Sequence, residues 1–229
     1  MPEVAHPRSI RSFVTRAGRI TAAQQRALAE LWPRYGIEFA AAPLALAALF
    51  GRVAPVTVEI GFGNGDNLAR LAAAHPERDF LGIEVHRAGI GRLLLALEAQ
   101  QLGNVRVICH DAVEVLSAQL PPHSLAEILI LFPDPWPKKR HHKRRLVQAE
   151  FVALAATRLA ADGVLRIATD WQPYAEQMLA TLAAAPALVN LAAGGGYAPR
   201  PAERAPTRFE RRGERLGHEV WDLAFRRRP

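Results

Sequence analysis

"VTVEIGFGNGDNLARLAAAHP", residues 56 to 76, decides the fold. "VTVEI" is a short β-branched run. It is followed at once by Gly61, Gly63 and Gly65, and then by "DNLARLAAAHP", which carries helical spacing and ends in a proline stop signal. Strand, glycine turn and helix in that order form a nucleotide-type cradle, because glycines let the backbone turn tightly and approach a ligand. A bare G-x-G-x-G suits many ligands. The dinucleotide fingerprint needs its third glycine at position 66, where this chain has Asp66, and an apolar residue where it has Glu59. A pyrophosphate is repelled by such acids.

The same unit repeats along the chain. "DFLGIEV" (79–85), "NVRVICH" (104–110), "LAEILILF" (125–132) and "GVLRIAT" (163–169) read as buried strands, short and bounded by Gly, Pro or polar residues. Between them "RAGIGRLLLALEAQQLG", "DAVEVLSAQLPP" and "RRLVQAEFVALAATRLAADG" carry helical spacing. A further helix is predicted at about 171–185, and "ALVNLA" and "HEVWDLAFRRR" read as two last strands across a Gly/Pro/Arg-rich connection at 194–215. This alternation predicts an α/β protein with a parallel sheet covered on both faces. "FAAAPLALAALF" (39–50) contains a proline, falls short of the roughly 18 residues a membrane span needs, and reads as a buried helix.

Composition narrows the partners. The chain has 229 residues, half of them hydrophobic, and a formal charge of +7. One domain over 21–229 is expected. The charge favours an anionic partner, nucleic acid before a small acidic metabolite, with a merely solvated basic surface as the plain alternative. Cys109 is the only cysteine, which excludes an internal disulfide and a Cys-rich metal site; no metal is expected. The N-terminus lacks the apolar segment of a secretory signal, so a cytoplasmic location and no membrane association are expected. Arg8, Arg11, Arg16 and Arg19 mark the first 20 residues as a basic arm that orders late or on binding.

Glu59 suits a ligand that is cationic beside the glycine turn, and S-adenosylmethionine carries an ammonium and a sulfonium and no phosphate. Glu84 ends the next strand, where a carboxylate can accept from both hydroxyls of a ribose. Asp111 follows the third strand, where an adenine amino group could be held. Each acid has a plainer reading, Glu59 as the cap of a neighbouring turn and Asp111 as the N-cap of its helix. Three acids at three successive strand ends beside one glycine loop favour the ligand.

A fourth acid, Asp134, follows the fourth strand in "FPDPWPKKRHHKRR" (132–145). Pro133 and Pro135 fix the backbone on either side of it. Trp136 either stacks on a base or packs in the core. The cations from Lys138 to Arg145 suit phosphates, or else form a solvated helix start. His141 and His142 have no partner at metal-ligand spacing and read as part of the basic surface.

These stretches, together with "RSFVTRAGRIT" (11–21) and "PTRFERRGERLGHEVWDLAFRR" (206–227), resemble the tRNA (guanine-N7)-methyltransferases over nearly the whole chain. The resemblance implies a Rossmann-like class I methyltransferase fold, with a mostly parallel seven-stranded sheet and an antiparallel C-terminal strand. It implies methylation of guanine at nucleotide 46, in the variable loop of tRNA, with S-adenosylmethionine as cofactor, by a monomer or homodimer. It assigns Glu59, Gly61, Gly63, Gly65, Glu84, Asp111 and Asp134 to the cofactor pocket, with Asp134 also the catalytic acid. Lys138, Asp170, Thr207, Arg208, Phe209 and Glu210 match substrate-contacting positions. Arg140, His141, His142, Lys143, Arg144 and Arg145 match an RNA-contacting loop. Arg208 departs from a position where lysine is common, which keeps charge and changes hydrogen-bonding geometry.

Three rivals stand beside this. An adenine amino-group methyltransferase is favoured by "DPW", which partly matches its acid-Pro-Pro-aromatic motif, and disfavoured by the missing second proline. A non-catalytic RNA-binding module is disfavoured by the retained acids, and a nicotinamide-dependent oxidoreductase by Glu59 and Asp66.

Overall fold

Residues 12–13, 19–202, 204, 210 and 219–229 are described by the computed structural model. Most of the arm expected at 1–20, and Thr207, Arg208 and Phe209, lie outside them. Thr21 starts helix α1 (Ala22–Glu30) through a reciprocal box: Gln24 N–H donates to Thr21 Oγ1 at 3.3 Å and Thr21 N–H to Gln24 Oε1 at 2.9 Å. Short elements follow, α2 (Trp32–Tyr35), β1 (Gly36–Ile37) and α3 (Leu46–Phe50). Then comes the predicted alternation: β2 (Val56–Ile60), α4 (Asp66–Ala74), β3 (Asp79–Ile83), α5 (Arg87–Ala99), β4 (Val105–Ile108), α6 (Ala112–Glu114) and β5 (Leu125–Leu131). After a 3-10 helix (Lys139–Arg144) the chain forms α7 (Ala149–Arg158), β6 (Leu159–Thr169), α8 (Gln172–Ala183), β7 (Leu188–Asn190) and β8 (Trp221–Arg227).

The strands join in the order β1-β4-β3-β2-β5-β6-β8-β7. All pairings are parallel except those of β8, which runs antiparallel to both β6 and β7. Seven strands stand where the sequence places them. The eighth, β1, has two residues, too few to leave a periodic signal. The buried helix expected at 39–50 is a correction: only Leu46–Phe50 is helical, and none of it is buried. Pro43 disfavours helix at the residue before it and removes a donor, so 38–45 run irregularly. The helix expected after Asp111 is likewise shorter, three α-helical residues running into a π-helical turn, Val115–Gln119.

Register assigns the two faces. Val58, Ile60, Leu81, Ile83, Ile128, Ile130, Leu165, Ile167, Leu223 and Phe225 share one core with Phe151, Val152, Tyr174 and Met178 of α7 and α8. Phe80, Val105, Val107 and Leu129 face the other way, against Ala27, Leu68, Leu93, Leu94 and Leu97 of α1, α4 and α5. Full burial of each such side chain stabilises the fold by roughly 1.5–3 kcal/mol for Val, Leu, Ile, Phe or Met. Because β2 lies between β3 and β5, the chain reverses its winding there, and a crevice opens at the carboxyl ends of β2 and β5.

Candidate active site

The glycine turn between β2 and α4 has two sides. Gly61, Gly63 and Gly65 all have left-handed φ, at +70°, +59° and +78°, a region open to glycine at no steric cost. A Cβ on Gly65 would stand 2.6 Å from Leu93 Cδ1, and one on Gly89 of α5 would stand 2.0 Å from the Gly63 carbonyl oxygen. That side is closed by packing. A Cβ on Gly61 or Gly63 would meet nothing within 4 Å, so these two leave space above the turn for a ligand.

Glu84, at the end of β3, is 6% exposed and is held by three backbone donors. Its Oε1 accepts from Val85 N–H at 2.6 Å and His86 N–H at 3.0 Å, and its Oε2 from Gly63 N–H at 2.9 Å. A carboxylate oxygen has two acceptor sites, so Oε1 is filled and Oε2 keeps one. Glu59, at the end of β2, is 2% exposed and accepts from Asn67 Nδ2 at 3.0 Å. Burial pushes its carboxyl up to about 7; the Asn67 hydrogen bond and the Arg70 charge oppose that rise, and Glu84 adds to it. Asp111 after β4 accepts from Val113 N–H through Oδ1 at 2.8 Å as the N-cap of α6, which leaves Oδ2.

Asp134 follows β5 and is exposed. Its loop is strained on both sides: Phe132 and Trp136 take φ of +53° and +45°, which non-glycine residues adopt only when their surroundings impose it. The Phe132 N–H donates to the Ala168 carbonyl at 2.8 Å, carrying the β5–β6 pairing to the loop's first residue. Trp136 is neither core nor an open platform. The half-buried indole donates from Nε1 to the Ser12 carbonyl at 3.1 Å, lies 5.0 Å from the Arg144 guanidinium carbon, and meets His141 edge-on at 5.8 Å.

The basic run divides. Lys138, Lys139, Arg140 and Lys143 are exposed, and Arg144 covers Trp136. Arg145 points inward, 4% exposed, donating to the Pro135 carbonyl at 2.9 Å and Gln177 Oε1 at 2.6 Å, with Tyr174 under its guanidinium. Its expected place on an RNA-contacting surface does not fit that burial; it anchors the loop instead. His142 approaches it at 3.1 Å. Desolvation and the cations Arg140, Arg144, Lys138 and Lys143 lower the His141 pKa, so it takes up a proton less readily than a free imidazole.

Asp170 follows β6 and is half-exposed on the same edge as Asp134. Glu210 is 1% exposed and is clasped by Arg204, which also reaches Asp222 of β8. Neither Arg204 nor Asp222 is singled out by the sequence. Among the described residues no group of three or more His, Cys, Asp or Glu side chains is placed to hold a metal ion, and no helix is long and apolar enough to cross a membrane. A groove of about 440 Å³ between α7 and α8, lined by Ala153, Ala156, Ala184 and Ala185, lies at the opposite, amino edge of the sheet.

A doubly wound sheet with a glycine turn and acids at its carboxyl edge is compatible with a methyltransferase, and known structures agree on the fold. The chain superposes with TM-score 0.54 on the 16S rRNA (adenine(1408)-N(1))-methyltransferase with cosubstrate SAM from Catenulisporales acidiphilia, at 17% identity over 80% of this chain and 90% of that one. An rRNA methylase from Streptococcus thermophilus gives 0.52, at 12% identity over 77% and 88%. Residues 53–223 match the family model described as "Putative methyltransferase". Sequence relatives are much nearer: the tRNA (guanine-N(7)-)-methyltransferase of Leifsonia xyli subsp. xyli is 62% identical over 96% of both chains. That of Thiobacillus denitrificans is 59% identical over 98% of this chain and 97% of its own. The chain belongs to the tRNA (guanine-N(7)-)-methyltransferase family, and its fold is the Rossmann-like class I methyltransferase fold.

Proposed function

We propose that the protein transfers the methyl group of S-adenosylmethionine to N7 of guanine 46 in the variable loop of cytoplasmic tRNA. One observation carries the proposal beside the family. Asp111, Glu84, Glu59 and Asp134 stand at the carboxyl ends of four neighbouring strands, β4, β3, β2 and β5, and the exposed cations of 138–143 follow the fourth. Residues 21–229 act as one methyltransferase domain, and the basic arm at 1–20 adds to the RNA-binding charge.

The pocket residues fit S-adenosylmethionine, since the space above Gly61 and Gly63 admits a ligand and the buried Glu59 carboxyl favours positive charge. Glu84 offers its remaining Oε2 acceptor site to a ribose hydroxyl, and Asp111 offers Oδ2 to the adenine amino group. When bound, S-adenosylmethionine supplies an electrophilic methyl group on a sulfonium. Guanine N7 has a free lone pair and loses no proton on methylation, so no general base is required. The protein contributes orientation, and Asp134 contributes a fixed anion beside a ring that becomes a cation. Asp134 and Asp170 accept from guanine N1–H and its amino group, a pair of donors adenine lacks in that arrangement. Lys138, Thr207, Arg208 and Phe209 contact the base, whereas Glu210, 1% exposed and clasped by Arg204, is held in that ion pair instead. Arg140, Lys143 and Arg144 hold phosphates without reading sequence.

The test is tRNA incubated with the protein and methyl-labelled S-adenosylmethionine. Nucleoside mass spectrometry should show 7-methylguanosine, and borohydride–aniline cleavage should map it to nucleotide 46. Label in methyladenosine would revive the amino-group reading, and no label would leave an RNA-binding module.

A further inference from the structure

Arg204 touches three segments that converge on the carboxyl edge. It is 6% exposed. Its Nη1 donates to Glu210 Oε2 at 2.7 Å, and its Nη2 to Glu210 Oε1 at 3.1 Å and to Asp222 Oδ2 at 2.8 Å. Its guanidinium carbon lies 5.7 Å from the centroid of the Phe132 ring. Each of these partners leads to a site residue. Phe132 opens the strained loop that holds Asp134. Asp222 pairs with Ala168 across β6 and β8, and Asp170 lies two residues beyond Ala168. Glu210 follows in sequence Thr207, Arg208 and Phe209, the positions proposed to contact the base. Arg200 completes the charge balance, with Nη1 at 3.4 Å from Glu210 Oε1 and Nε donating to the Arg204 carbonyl at 3.0 Å.

We propose that Arg204 is a positioning residue for methyl transfer: its fork fixes the Asp134 loop, the end of β6 and Glu210 relative to one another. Packing alone does not call for it, because apolar side chains of similar volume fill a core at least as well as a buried ion pair. A planar fork with two carboxylates specifies direction as well as distance, and the left-handed Phe132 persists only where its neighbours over-determine it. Arg204 has no need to touch substrate or cofactor; it acts through Phe132 and Glu210. The inference rests on the assignment of Asp134 to the reaction.

Arg204→Lys keeps the charge and removes the fork. In the full chain it should lower the single-turnover rate with saturating tRNA by about 100-fold, the scale of a misplacement of about 1 Å. S-adenosylmethionine affinity by calorimetry should stay within about twofold, because Glu59, Glu84 and Asp111 are held by other partners and the proposed role of Asp134 is toward the base. If Arg204 acts through Glu210, the Arg204→Lys/Glu210→Gln double variant is no slower than the slower single variant. Asp222→Asn, which removes only the anchor beneath the fork, should give the same split and serves if Arg204→Lys fails to fold. A wild-type rate in either variant overturns the proposal, as does a joint loss of rate and cofactor affinity or additive single effects. An unsubstituted protein inactive on tRNA would instead sink the proposed function.

Discussion

The Gly63 N–H donates to Glu84 Oε2 at 2.9 Å, so the acid that ends β3 and the turn that leaves β2 hold each other. The acid proposed to meet the ribose is thus also one that shapes the glycine turn.

Glu84→Ala should therefore act twice. Loss of a hydrogen bond to a charged group weakens S-adenosylmethionine binding by about 1.5–3 kcal/mol, and release of three backbone donors lowers the stability of the protein alone. Calorimetry and thermal unfolding read the two effects separately. Unchanged cofactor affinity, or tight binding of NAD, would reject the pocket assignment.

Glu59 sets a pH dependence. Its folded pKa of about 7 lies above the ordinary 4.5, so the folded state holds this proton more tightly than the unfolded chain does. Stability from this group is complete below about 4.5 and is lost as pH rises through 7, by on the order of 3 kcal/mol. Urea unfolding of wild type and Glu59→Gln should diverge between those limits, the wild type losing stability relative to the variant as pH rises. Parallel curves would show that Glu59 is already ionised in the fold. A cationic ligand favours the carboxylate, so calorimetry near pH 6.5 in buffers of different ionisation enthalpy should show proton release on S-adenosylmethionine binding.

The division of the basic run predicts two phenotypes. Replacing Arg140 and Lys143 with Ala should reduce the magnitude of the log K versus log salt slope for tRNA by roughly 0.7–0.9 for each phosphate no longer neutralised, with cofactor affinity unchanged. Arg145→Ala should instead cost about 2 kcal/mol of stability as its charged hydrogen bonds disappear. If Arg145→Ala leaves the melting temperature alone and moves only the salt slope, Arg145 belongs to the RNA surface and not to the anchor of the loop.

Much of the fold and site is legible in the sequence. β2, β3 and β5 are short apolar runs bounded by turn residues, and Glu59, Glu84, Asp111 and Asp134 can be placed because a strand's end is visible in its pattern. Arg145 cannot be told from Arg144, since a run of like charges does not say which member of a tight turn faces inward. Arg204 and Asp222 are hidden for another reason. Their ion pair spans 18 positions across a Gly/Pro/Arg-rich connection without periodicity, and only the placing of β8 brings them together.

Asp134 should behave as a fixed anion. Because N7 methylation releases no proton, the single-turnover rate with saturating tRNA and cofactor should be flat between about pH 6 and 8. Asp134→Ala should lower it by about two to three orders of magnitude, the scale for one preorganised electrostatic group. A tenfold rise per pH unit that disappears in the variant would mean proton removal, as an exocyclic amine demands.

The place of β8, inserted between β6 and β7, sets an order of events during synthesis. While the ribosome is making the chain, β7 has no neighbour to join until residues 221–227 emerge. Asp222 arrives with that last strand, and with it the anchor for Arg204. Until that strand is in place, β6 remains an unpaired edge.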